Sequence, residues 1–312
     1  MAAIVLVHGI DNQSESADLI EDHWLPALAG GVRLAGRGDL ADRLWPPRSR
    51  PDAIESRAAY YGGLFRAPDR MGAGEDPRDW TPEQAALAEA LALEWLEHVA
   101  ERAPAGSADA EQARRALDIA REPARAGAMG RGNVLRQVLK TLARVSWLAN
   151  MGMYVAERLV LTSLAQVTRY LTDDATRARA REAVLGLVGG DTRAILGHSL
   201  GSVVAYECAH LVTRPLPLLV TLGSPLGLRT LVADRLDPPP SFPPRVSAWL
   251  NVANREDVVA AEPDLRPLFA PDVPAPARFE GVWFAEPGKD PHRAATYLGR
   301  IAVGRAVIQA LA

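Results

Sequence analysis

Residues 192–206 read Thr-Arg-Ala-Ile-Leu-Gly-His-Ser-Leu-Gly-Ser-Val-Val-Ala-Tyr, and few local folds accommodate that order. Ile195 and Leu196 close a short apolar run that predicts a buried strand. Gly197-His198-Ser199-Leu200-Gly201 is a G-x-S-x-G turn, and residues 202–211 have the composition of a helix. Strand, sharp turn and helix in that order lift a serine onto a strained, exposed turn. Glycine at 197 and 201 removes the Cβ atoms that would clash with the flanking strand and helix. The Leu200 N–H then lies at a helix N-terminus, where the dipole favours a developing negative charge.

A serine hydroxyl is a poor nucleophile unless an imidazole takes its proton and a third group orients that imidazole. The chain has six histidines. His198 is expected to point away across the turn. His210 lies roughly 16 Å down the helix from Ser199. His23 and His98 fall within predicted helices. His8 ends the first strand, a position that suits oxyanion geometry better than base chemistry. His292 remains, in the loop that follows a predicted strand at 281–284. In an open α/β sheet, reacting groups gather beyond the carboxyl ends of the strands.

The orienting acid should also follow a strand and precede His292. Asp257, just past a predicted strand at 246–252, meets both conditions, and Val258-Val259 reads as a return into packed structure that fixes its direction. Glu256 is adjacent, and Asp234 and Asp237 are weaker rivals. A second oxyanion donor is expected from the end of the first strand, where His8-Gly9-Ile10 forms a turn. There the Ile10 N–H is the expected donor, with Asn12 assisting.

Along the chain, Ile4-Val-Leu-Val7 has the apolar continuity of a strand buried on both faces. A helix is expected from Glu15 to Leu28, turn and loop from Gly30 to Pro51, and a strand from Arg57 to Tyr61. Thr81-Pro82 opens a helix to Arg102. Further helices are expected over 110–121, from an Asn133 cap onward, and over 154–171 and 175–188. Strand 216–223 is followed by an expected helix from Leu226 to Leu236, then by strands 246–252 and 281–284, and a closing helix runs from Ala294 to Leu311.

Strands alternating with helices imply an α/β fold, a mostly parallel sheet with helices on both faces. Residues 64–172 are too many for one crossover and are expected to form an inserted helical cap. Residues 1–63 and 173–312 then make up the catalytic domain.

His8-Gly9, Gly197 to Gly201, Leu222-Gly-Ser-Pro225, Asp257 and His292 together resemble the α/β-hydrolase superfamily. The Gly-His-Ser-Leu-Gly turn followed by Leu-Gly-Ser-Pro is similar to its lipase and acyltransferase-like branch, which includes the GPI inositol-deacylase type. The resemblance implies a serine ester hydrolase that works through an acyl-enzyme on Ser199. His292 would be base and then acid, Asp257 would orient it, and no cofactor or metal would be needed. A thioesterase or amidase would use the same residues, and a non-catalytic binding protein could share the fold.

The substrate expected is a small-molecule carboxylic ester, lipid or long acyl chain, because the cap is apolar. The stripe Val134, Val138, Leu142 and Val145 reads chiefly as helix-to-helix core. Trp147 to Tyr154 is richer in Met and aromatics than packing needs, so Met151 and Met153 are assigned to substrate binding over Ser199.

Other classes find little support. A net charge of −3 gives no basic field for nucleic acid. There is no P-loop, no H-E-x-x-H and no cysteine pair for zinc. Cys208, the one cysteine, makes no internal disulfide and fits a reducing compartment. Residues 1–7 carry no basic n-region and read directly as a core strand. The uncharged run 145–156 would span about 18 Å as a helix, short of the ~30 Å hydrocarbon core. A cytoplasmic protein without a membrane span is expected, one whose contact with membranes would be peripheral.

Overall fold

A computed structural model of the chain describes residues 1–10, 12–45, 51–66, 77–121, 131–145, 153–269, 271, 273–286 and 290–312. The chain divides into two compact units. One comprises Met1–Phe65, Asp174–Phe284 and His292–Ala312, and the other Arg66–Asp173 with Ala285–Pro291.

The first unit is built on a six-stranded, all-parallel sheet in the order β2-β1-β3-β4-β5-β6. Its strands are β1 (Ile4–Val7), β2 (Ser56–Ala59), β3 (Ala194–His198), β4 (Leu216–Leu222), β5 (Val246–Asn254) and β6 (Arg278–Phe284). Successive side chains on a strand point to opposite faces, so Ile4 and Leu6 face one way and Val5 and Val7 the other. All four are fully buried. At about 1.5–3 kcal/mol for each such side chain, this explains why β1 is apolar throughout where a one-faced strand would alternate.

Ile4 and Leu6 join Leu196, Val220, Leu222 and Val252 in a core under α1 (Ala17–Leu34) and α2 (Gly38–Leu44). The opposite face of the sheet carries two helices that follow the second unit in the chain. The second unit contains, among its described residues, α3 (Pro82–Arg102), α4 (Ala108–Arg121), α5 (Arg131–Leu142) and α6 (Met153–Thr172), which pack on one another. Thr81 and Gln84 close a reciprocal capping box at the start of α3, with Pro82 in the first turn. Val138, Leu142 and Val145 are buried, as a stripe facing a helical core requires. None of the helices among the described residues is long and apolar enough to cross a membrane.

The chain returns to the first unit through α7 (Asp174–Leu185) and, after β3, α8 (Leu200–Leu211), which pack together on the face opposite α1. A four-residue helix α9 (Arg266–Phe269) precedes β6. Then α10 (Ala294–Leu298) and α11 (Ile301–Leu311) complete the α1 side.

Several expected elements differ. The first helix continues past Leu28 to Leu34 because Ala29 and Val32 extend its buried stripe, and that burial outweighs the low helix propensity of Gly30 and Gly31. Residues 38–44 are helix where loop was expected, since Leu40, Ala41 and Leu44 bury one face. Asn133 lies inside α5 and is not its cap. Residues 226–236 hold only two 3₁₀ turns, Pro225–Gly227 and Ala233–Arg235. Leu228, Val232 and Leu236 are spaced four apart as on a helix, yet each is buried from loop backbone. The closing helix is two, parted at Gly299-Arg300.

The loop after β4 is anchored electrostatically. Glu207, on α8, is fully buried and accepts from Arg181 Nε at 2.9 Å and from the Asp237 N–H at 3.1 Å. Arg181 also donates to the Asp237 carbonyl oxygen at 2.6 Å. Glu207→Ala removes the hydrogen bonds from Arg181 and the Asp237 N–H but leaves Arg181 paired with Asp237, so it should lower stability by about 2–3 kcal/mol in urea unfolding. A loss below about 1 kcal/mol would show that the pair does not hold this loop.

Candidate functional site

Chain order and sheet order together place a reversal beside Ser199, which is buried where an exposed turn was expected. The chain starts mid-sheet at β1, steps outward to β2, then crosses to the other side of β1 for β3 and continues to β6. The reversal lies between β1 and β3, where open parallel sheets leave a crevice beyond the strand carboxyl ends. Gly9 follows β1 and Ser199 follows β3, so both sit at that reversal.

Ser199 has φ 54° and ψ −129°, the only left-handed non-glycine residue among those described. Such a conformation costs on the order of 1–3 kcal/mol and persists only where the surroundings impose it. They do so from three sides. The Ser199 N–H donates to the Leu222 carbonyl oxygen at 2.9 Å. The Ser202 hydroxyl donates to the Ser199 carbonyl oxygen at 2.5 Å and lies 2.7 Å from the Ser224 hydroxyl. A Cβ on Gly201 would fall 2.1 Å from the Val7 carbonyl oxygen, so only glycine lets α8 start so close to β1.

The turn aims the serine at a histidine. Ser199 Oγ is 2.9 Å from His292 Nε2, and His292 Nδ1 is 2.7 Å from Asp257 Oδ2. Asp257 is fully buried; its Oδ1 accepts the Val259 N–H at 3.0 Å, and its Oδ2 also accepts the Tyr297 hydroxyl at 2.5 Å. Burial alone would raise the Asp257 pKa. The neighbouring His292 and the hydrogen bonds from His292, Tyr297 and the Val259 N–H outweigh it, so the carboxyl lies below the usual range.

The rival acids are placed elsewhere. Glu256 is exposed, and Asp237 is engaged by Arg181. An imidazole held between a hydroxyl and a carboxylate can accept the hydroxyl proton, while the carboxylate stabilises the resulting cation.

Leu200 follows Ser199 in the chain, and Ile10 follows Gly9, which packs against the serine. Leu200 opens α8, so its N–H has no partner within the helix. Among the described backbone hydrogen bonds, none uses the N–H of Leu200 or Ile10. Gly9 packs against the serine: a Cβ there would meet Ser199 Cβ at 2.6 Å. The Asn12 amide donates to the Ile10 carbonyl oxygen at 2.7 Å and to that of Gly9 at 3.3 Å. Asn12 therefore shapes the loop, in place of the expected assistance to an oxyanion.

The two neighbouring histidines differ from expectation. His198 does not point away from the site: its ring lies 4.7 Å from that of His292, and it is 5.9 Å from Trp24 in edge-on contact. Burial and the nearby His292 lower its pKa to about 3, against a hydrogen bond with the His292 backbone. Its Nε2 has no hydrogen-bond partner among the described residues. His8 is also fully buried. Its Nε2 accepts the Tyr61 N–H at 3.2 Å, so the proton sits on Nδ1, which donates to the Gly9 carbonyl oxygen at 2.8 Å. Burial lowers its pKa to about 4. His8 thus fastens the ends of β1 and β2 as a neutral ring.

Met151 lies outside the described residues. Met153 opens α6, and its side chain is not among those described. No group of three or more metal-ligating side chains is present among the described residues. No family model, curated protein or solved structure matches the chain.

The contacts made by Tyr297, Ser202 and Ser224 escape sequence reasoning, although Ser224 stands in the Leu222 to Pro225 motif. Tyr297 meets an acid 40 positions away in the chain, and in sequence it is one apolar residue among many on a closing helix.

The two buried histidines make stability depend on pH. Unfolded, each takes a proton near pH 6.5; folded, His8 does so only near 4 and His198 near 3. The unfolded chain therefore binds more protons between these values, and stability, full above pH 6.5, falls as pH drops towards 4. At about 1.4 kcal/mol per pH unit, each ring should account for about 3 kcal/mol by pH 4. Urea unfolding at pH 7, 5.5 and 4.5 should show this decline, with a shallower slope in His198→Asn. Stability that stays flat over that range would mean the rings are not buried neutral.

Proposed function

We propose that the chain is a serine hydrolase of the α/β-hydrolase type acting on carboxylic esters. The observation that carries this reading is His292 placed within hydrogen-bond distance of both Ser199 Oγ and the buried Asp257 carboxylate.

In the proposed reaction Ser199 Oγ attacks the ester carbonyl carbon while His292 Nε2 takes its proton. Asp257 holds the imidazolium through Nδ1. The N–H groups of Leu200 and Ile10 receive the charge that develops on the carbonyl oxygen. The tetrahedral adduct collapses when His292 returns the proton to the leaving alkoxide, which departs as the alcohol. Water then repeats the sequence on the acyl-enzyme and releases the acid.

The helical second unit is read as a cap that selects the acyl chain, with Met151 and Met153 among the substrate-binding residues. A cytoplasmic setting belongs to the same reading, and the single cysteine, Cys208, is buried.

A series of p-nitrophenyl esters of graded chain length, beside thioester and amide analogues, tests the substrate class. Longer acyl chains should be favoured, and thioester turnover far above ester turnover would reassign the reaction. Ser199→Ala should lower kcat by roughly 10⁴–10⁶ with the fold intact. Asp257→Asn should cost roughly 10³–10⁴ through the wrong histidine tautomer, and Glu256→Gln much less. Unimpaired hydrolysis by Ser199→Ala would refute the proposal, and a reversal of the two acid variants would transfer the orienting role to Glu256.

A further inference from the structure

We infer that Tyr297 is a positioning residue for this site, orienting the Asp257 carboxylate and moderating its pull on His292. The inference rests on the reading of Ser199, His292 and Asp257 as the reacting set.

The phenol ring is fully buried on α10, five residues after His292. Its hydroxyl donates to Asp257 Oδ2 at 2.5 Å and accepts the Asn254 N–H, from the last residue of β5, at 3.2 Å. One side chain thus ties the strand end that carries Asp257 to the segment that carries His292. Tyr297 and His292 both donate to the same oxygen, Oδ2, while Oδ1 is taken by the Val259 N–H. Rotation of the carboxylate would break all three bonds, so its orientation is fixed from two sides.

The shared oxygen has an electronic consequence. A phenolic donor draws charge from Oδ2, and that charge is what stabilises protonated His292. The other groups facing the pair do not replace it. His198 is a neutral buried ring 5.7 Å from Tyr297 and 4.7 Å from His292. Ser199 is uncharged, and Glu256 is exposed. The Arg300 guanidinium lies 4.2 Å above Phe284, whose ring meets Tyr297 edge-on at 5.2 Å, so an aromatic ring stands between that cation and the phenol. Without the hydroxyl, Asp257 would be a stronger base and His292 would hold its proton to higher pH. Reaction at Ser199 needs neutral His292, so the acid limb of its rate should move upward.

The test follows the second-order rate of Ser199 phosphonylation by a fluorophosphonate across pH, which requires no knowledge of the natural substrate. Tyr297→Phe should shift the acid limb up by roughly 0.5–1 pH unit. It should also lower the plateau rate about tenfold, the factor expected for one lost hydrogen bond to a charged group. Replacing Tyr297 with 3-fluorotyrosine strengthens the donor and keeps the bond, so it should move the limb down by roughly a few tenths of a unit. This second variant decides the matter if Tyr297→Phe does not fold. Shifts of opposite sign establish the role. Plateau losses with an unmoved acid limb, or shifts of the same sign, would overturn it and leave Tyr297 as packing. If the wild-type protein is not labelled at Ser199 at all, the reading of the reacting set fails first and this inference falls with it.

Discussion

A carboxylate shut away from water stays ionised only if partners replace the lost solvation, and Asp257 has no exposure to solvent. Its oxygens accept the Val259 N–H, the Tyr297 hydroxyl and the His292 imidazole. Those three partners come from the loop after β5, from α10 and from the segment that leads into it. Satisfying one buried charge therefore fixes how the chain must pass the carboxyl ends of the last two strands. The position of His292, and with it the 2.9 Å approach to Ser199, follows from that requirement.

The sheet supplies the other half of the arrangement. Because β1 and β3 are neighbours, the turn after β3 meets the turn after β1, and Gly9 and Gly201 allow their backbones to touch. Ser199 is held in a left-handed conformation by a hydrogen bond from its N–H to the Leu222 carbonyl oxygen of β4 and by one from the Ser202 hydroxyl. The strain belongs to the fold, since the buried strands and helices that impose it lie in the sheet and on its two faces. Two neutral histidines line this junction. His8 joins the ends of β1 and β2, and His198 packs against His292.

Much of the architecture was legible because β1, β3 and most of β4 are short, buried, largely apolar runs, and a parallel sheet puts every strand's carboxyl end on one edge. Ser199 and Asp257 fall just beyond such an end and His292 in the segment that follows β6, so all three belong to one edge of the sheet. Elements shaped by tertiary packing were harder. Gly30 and Gly31 look like a helix stop but lie inside α1, and the spacing of Leu228, Val232 and Leu236 imitates a helix that does not form. His198 could be placed on the turn, but the direction of its ring depends on Trp24 and Tyr297, far away in sequence. Tyr297 gave no signal, since its partner is known only once the sheet is assembled.

In the proposed reaction Ser199 is a nucleophile activated by His292. Mapping the site of fluorophosphonate modification by peptide mass spectrometry tests it most directly. The account predicts one adduct per chain, on Ser199, and its loss in His292→Ala. An adduct on a different serine, or equal labelling of Ser199 without His292, would contradict it.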